Sequence, residues 1–202
     1  MAHSHAHHYL LELGRLTSLI DGVFAVAMTL LVLDLKLPPQ NNNLVSALRQ
    51  MLPGFLIYLV VFFSVAGYWF IHHNTFRFIA HGNSRLMALS LVNLLFVTLF
   101  PVSASIVGAH PREPIATICL SVNSLLYCLS AWAIWSYAAS NRELLAEDNN
   151  NQSLQRVARS MLFVAIGLAF AIPLAFWSVY LTYAIWILYT PIAGGWGRGK
   201  EK

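Results

Sequence analysis

The chain has 202 residues, of which 58% are hydrophobic and only 10% charged, against about 25% charged in an ordinary soluble domain. That imbalance excludes a water-soluble domain and makes the chain an integral membrane protein. The formal net charge is +4, but the basic residues are dispersed over several loops with no basic run, so the charge reports topology and carries no nucleic-acid signal.

The chain opens with Met1-Ala-His-Ser-His-Ala-His-His8, and residues 1–13 read as a disordered, His-rich N-terminus outside the fold. No basic segment or small-residue cleavage pattern marks a signal peptide, so the first apolar stretch stays in the protein as an anchor. That first span runs from about Leu16 to Leu37 and stops at the turn-forming Pro38-Pro39-Gln-Asn-Asn-Asn43. The second begins near Pro53, and Gly54 to Ile71 is free of charge, matching the roughly 20 residues that cross hydrocarbon. It ends in Trp69-Phe-Ile-His72-His73-Asn-Thr-Phe76-Arg77, aromatic and cationic as a membrane interface requires. A third span covers about Leu86 to Gly108 with a kink at Pro101, and a fourth covers Ile115 to Ala139. After the polar loop Asn141 to Gln155, the stretch from Ser160 to Gly197 carries no charge. It is too long for one crossing and long enough for two short ones joined near Pro173 to Ser178.

Charge asymmetry decides between five and six spans. With six, the cytoplasmic side holds nine basic residues, Arg15, Arg77, Arg85, Arg142, Arg156, Arg159, Arg198, Lys200 and Lys202, against three outside, Lys36, Arg49 and Arg112. With five the split is six to six, so the positive-inside rule selects six helices with both termini cytoplasmic. Residues 14–196 then form one all-α transmembrane domain and 197–202 a basic C-terminal tail.

The first span alone carries ionised groups within a membrane helix. A carboxylate such as Asp21 near the hydrocarbon needs a partner or water, and Arg15 lies six positions away, which is not a same-face spacing on a helix. Its partners therefore belong to other helices or subunits, or else it sits at the interface. After Asp21, the residues Gly22, Val26, Thr29, Leu30 and Leu33 recur at steps of three and four and share one face, with Asp34 at its far end. Two readings of that face stand open: ordinary helix packing around small residues, or a pore-lining stripe in which apolar rings constrict a path and a hydroxyl meets a partly dehydrated ion.

Elsewhere the sequence points to scaffold. Thr117, Ser121, Asn123, Ser124, Ser130 and Ser136 give the fourth span a polar streak suited to interhelical hydrogen bonds. Trp132, Trp135, Trp177, Trp186 and Tyr189 read as interface or packing aromatics. Cys119 and Cys128 fall inside one apolar run, where packing is their role. No phosphate loop, His-Glu-x-x-His helix or intramembrane carboxylate pair is present, so no enzyme chemistry is indicated.

The run from Arg15 through Asp21-Gly-Val-Phe-Ala-Val-Ala-Met-Thr-Leu-Leu-Val-Leu33 resembles the first-helix signature of prokaryotic relatives of the lysosomal potassium channel transmembrane protein 175. That signature is Arg-x-x-x-Phe-Ser-Asp followed by Gly-Val-Phe-Ala-Ile-Ala-Ile-Thr-Leu-Leu-Val; Leu19 and Ile20 stand here in place of its Phe and Ser. Trp69-x-x-His72-His73 is similar to the family's Trp-x-x-His-His pattern. The resemblance implies a homotetrameric six-helix channel in a prokaryotic plasma membrane, passing potassium over sodium without a Thr-Val-Gly-Tyr-Gly filter. It implies a pore lined by the first helix of each subunit, with rings at Val26, Leu30 and Leu33, a selectivity hydroxyl at Thr29 and entrances at Gly22 and Asp34. Arg15, Asp21, Trp69, His72 and His73 become a structural polar network. The partners are then other copies of the chain, the bilayer and the permeant potassium ion, with no cofactor or bound metal. Two other classes remain: a secondary, proton-coupled transporter, and a membrane b-type cytochrome using the histidine pair.

Overall fold

The computed structural model describes residues 2–35, 43–146 and 151–193. Among these the chain is all helix apart from one isolated pairing between two loops. The helices are α1 (Ala2–Leu30), α2 (Leu44–Phe76), α3 (Ser84–Thr98), α4 (Phe100–Ala109), α5 (Pro114–Ser140), α6 (Asn151–Trp177) and α7 (Val179–Ala193). Five stretches are long and apolar enough to cross a membrane: Leu13–Leu33, Leu44–Phe76, Ser84–Ala109, Pro114–Ser140 and Val157–Trp177. α7 is uncharged but has 15 residues, about 22 Å of helix against about 30 Å of hydrocarbon. The chain enters it by turning at Ser178.

Several boundaries differ from the sequence expectation for physical reasons. Helix α1 begins at Ala2, in place of the disordered tail expected over 1–13: once a stable span nucleates a helix, propagation needs only residues that do not break it. Helix α2 begins at Leu44 and not near Pro53, because the Asn43 side chain caps it by accepting from the Val45 amide at 3.0 Å. Its 33 residues make about 50 Å of helix, so the first turns, with Arg49, stand clear of the hydrocarbon. The expected kink at Pro101 is a break at Leu99 that separates α3 from α4; proline has no amide to return to the Val97 carbonyl. Most of the expected Pro38–Asn43 linker and the basic tail 197–202 lie outside the described residues.

The core is aromatic at its centre and hydrogen-bonded at its seams. Phe24, Tyr68, Phe100 and Tyr127 are almost wholly buried. Tyr68 stacks on Phe100 at 5.5 Å and lies 4.7 Å from Tyr127, while Phe24 meets Tyr127 edge to face at 6.1 Å. The Tyr127 hydroxyl donates to the Tyr68 carbonyl at 3.0 Å, fastening α5 to α2. Asn93 on α3 donates to the Tyr127 carbonyl at 3.1 Å and to the Ser130 hydroxyl at 2.7 Å. Asn123 on α5 donates to the Phe96 carbonyl at 3.2 Å. Part of the polar streak of the fourth span is therefore interhelical glue, as its composition suggests, while Ser124 returns its hydroxyl to Leu120 of its own helix.

Two loops meet at one end of the bundle. Ile79 pairs with Leu145, and around them the Ala80 amide donates to the Leu144 carbonyl at 2.8 Å and the Ala146 amide to the Phe78 carbonyl at 3.1 Å. Gly82 of the same loop lies against Leu13, so the first apolar span begins at this end too. At the opposite end the Tyr183 hydroxyl of α7 donates to the Pro111 carbonyl at 3.0 Å.

Candidate pore-lining helix face

Helix α1 has two contrasting stripes. Leu16, Ile20, Phe24, Ala27 and Leu31 follow one another at helical steps and are at most 4% exposed, packed into the core. The other side carries Leu19, Gly22, Val26, Thr29, Leu30 and Leu33, all exposed. Val26 is 56% and Leu33 64% exposed, so the residues that form one face in the sequence are on a face that this chain does not cover. A groove of about 400 Å³ runs along it, lined by Leu19, Gly22, Val26, Leu30 and, from the end of α3, Thr98. A Cβ built on Gly22 meets nothing within 4 Å, so the missing side chain leaves open space.

Thr29 bonds back to its own helix. Its hydroxyl donates to the Val26 carbonyl of its own helix at 2.8 Å, which leaves the oxygen lone pairs free to accept or to face a cation. Beyond Leu30 the α1 helix tightens into a 3₁₀ turn, Leu31–Asp34, closed by the Leu35 amide on the Val32 carbonyl at 3.1 Å. Leu33 is carried by that turn. The backbone of Asp34 ends the turn, but its side chain lies outside the described residues.

The polar residues of the signature divide. The Trp69 indole donates to the Asp21 carboxylate at 2.8 Å across α2 and α1, and Trp69 stacks on His73 at 5.4 Å. These three make a continuous row. Arg15 is exposed and outside it. His72 faces the other way: it is buried, stacked on Phe76 at 4.1 Å and 6.1 Å from Phe24, and its Nε2 has no hydrogen-bond partner. The two histidines thus point to different surroundings, as adjacent helical residues must. Ile20, where the family signature has Ser, is 1% exposed and turned into the core. Thr98 escapes a reading of the sequence because its link to the α1 face is purely spatial. Tyr68 and Tyr127 carry no motif, and only the polar streak around Tyr127 hints at its fastening role.

Residues 15–101, which hold this face and the Trp69 row, match the family model described as the endosomal/lysosomal potassium channel TMEM175. A protein of Streptomyces collinus named as a potassium channel is 30% identical over 179 residues, covering 86% of this chain and 87% of that one. The chain belongs to the TMEM175 family. A second TMEM175 relative, from Chamaesiphon minutus and also named as a potassium channel, is 29% identical over 181 residues, covering 86% of this chain and 89% of its own. A crystal structure titled as a lysosomal potassium-selective channel TMEM175 homolog from that organism superposes with a TM-score of 0.80 at 26% identity. The match covers 90% of this chain and 96% of that one. The likeness in fold therefore extends well beyond the segment matched by the family model.

Proposed function

We propose that the chain is one subunit of a potassium-selective, passive cation channel in a prokaryotic plasma membrane. Four copies set their first helices around a common pore, and both termini lie in the cytoplasm. The observation that carries this reading is the outward apolar face of α1, with Val26, Thr29, Leu30 and Leu33 exposed behind a fully buried stripe. Family membership and the names of the relatives support its use as a pore lining. From Val26 to Leu33 such rings span about 10 Å along the helix, a hydrophobic constriction of the kind that controls wetting and passage. Thr29 between them offers a hydroxyl oxygen per subunit to a partly dehydrated potassium ion. The ion is the permeant species, the protein performs no catalysis, and no cofactor takes part. The meeting of the 77–83 and 141–146 loops at the end where the first span begins supports an even count of crossings between them, and with it the basic-rich side as one side.

The test is the reversal potential of the purified protein in a planar bilayer with potassium on one side and sodium on the other. Wild type is expected to reverse toward the potassium equilibrium potential. Thr29→Ala should move the reversal toward sodium, and Leu30→Ala should raise the current. Flux that collapses with a proton gradient and ignores voltage would replace the channel with a coupled transporter.

A further inference from the structure

Behind the 3₁₀ turn that carries Leu33 lies a second cavity, of about 210 Å³, lined by Leu31 and Leu35 on the α1 side, Gly54 and Tyr58 on α2, and Ala104 and Gly108 on α4, among others. The turn itself packs against α2 and α4. Its position is notable on three counts. The lining of α4 is reduced to small side chains at a one-turn spacing, and Gly54 and Gly108 each have nothing within 4 Å of a built Cβ, so no neighbour in the subunit fills the space, which opens outward at the exposed Gly108. The two helices that meet there are both broken, α1 by its change to 3₁₀ and α4 by its separation from α3 at Leu99. And the residues on the cavity side of the turn, Leu31 and Leu35, flank the exposed Leu33.

A 3₁₀ turn and an α turn of the same residues place Leu33 differently. Over the three steps from Leu30, the 3₁₀ path turns by about 360° and rises about 6 Å, whereas the α path turns by about 300° and rises about 4.5 Å. Conversion therefore swings Leu33 by about 60° around the helix and draws it back by about 1.5 Å. In a close-packed interior such a repacking is blocked, because small shifts meet filled space. Here the cavity supplies the room.

We infer that the cavity lined by Gly54, Ala104 and Gly108 is the space into which Leu31 and Leu35 repack when the Leu31–Asp34 turn changes helix type, so that these small residues position the Leu33 ring. The described arrangement, with Leu33 projecting, is the constricted one; repacking into the cavity turns Leu33 away and widens the path. This rests on α1 as the pore lining, and it assigns to the far side of the helix the part that lets the lining move.

The test fills the cavity and reads single channels. Gly108→Leu and Ala104→Leu occupy the space from α4, while Val102→Leu, on the same helix but outside the lining of that space, adds bulk elsewhere. The cavity-filling variants are expected to lower the open fraction about tenfold, the scale on which overpacking by a side chain disfavours a state. Unitary conductance and reversal potential should stay at their wild-type values. Leu35→Ala in the Gly108→Leu background should restore opening by returning the lost volume. An unchanged open fraction in Gly108→Leu with a normal elution profile overturns the proposal, as does a lowered unitary conductance, which would mean a static narrowing of the lining. The outcomes separate from those of the channel reading itself. Wild-type potassium current with no effect of cavity filling removes only this inference, whereas Thr29→Ala and Leu30→Ala without effect remove the lining helix and this inference with it.

Discussion

A valine at position 26 is one carbon smaller than the isoleucine of the signature that this run resembles, and the side chain is 56% exposed on the uncovered face of α1. In the proposed ring of several copies that difference is repeated around the path, and hydrophobic constrictions act by dewetting. Val26→Ile is therefore expected to lower unitary conductance severalfold in bilayer recordings; unchanged current counts against a constriction there. Asp21 shows the same logic for a polar group. Its carboxylate lies beside an apolar face and is held by the Trp69 indole at 2.8 Å, a charge-assisted bond stronger than one between neutral groups. That Asp21 needed a partner on another helix was legible from its position in an apolar run. Which residues stand aside was not: Arg15 is exposed and His72 is buried against Phe24 and Phe76, because motif spacing says nothing of the direction a side chain takes once two helices cross.

At the scale of elements, the start of α3 shows how one side chain serves two purposes. The Asn83 oxygen accepts from the Leu86 amide at 2.9 Å and its nitrogen donates to the Tyr137 hydroxyl at 2.9 Å, while Arg85 lies 5.0 Å over the Tyr137 ring. Loss of an N-cap costs about 1 kcal/mol, and loss of a neutral hydrogen bond about as much again. Asn83→Ala should thus lower the thermal midpoint in detergent more than Asn83→Asp, which keeps the capping oxygen and gives up only the donor. Equal losses for the two would mean that the cap contributes nothing. Helix positions were readable from hydropathy and from Pro101 and Pro114, since both the length of a crossing and the missing proline amide act locally. The start of α2 at Leu44 and the 3₁₀ end of α1 were not, because a single cap at Asn43 and the packing of Leu31–Asp34 on α2 and α4 decide them.

For the whole molecule, the apolar runs and the basic asymmetry between loops carried the reading as far as a six-crossing membrane protein, and the contacts between loops lie beyond any pattern in the chain. Single cysteines at Arg77 and Arg142, on the two loops paired through Ile79 and Leu145, should react with a membrane-impermeant thiol reagent from the same side of intact vesicles, and one at Arg112 only from the other. Labelling of the first two from opposite sides would break the even topology.

That loop pairing also makes the subunit mechanically lopsided. At one end three main-chain bonds rivet the connection between α2 and α3 to the connection between α5 and α6; at the other, the Tyr183 hydroxyl reaches Pro111 as a side-chain tie. Backbone rivets are short and stiff, whereas a tyrosine tie is a long arm with two torsions. The end held by the side-chain tie is also the end that holds Leu33 and the cleft behind it.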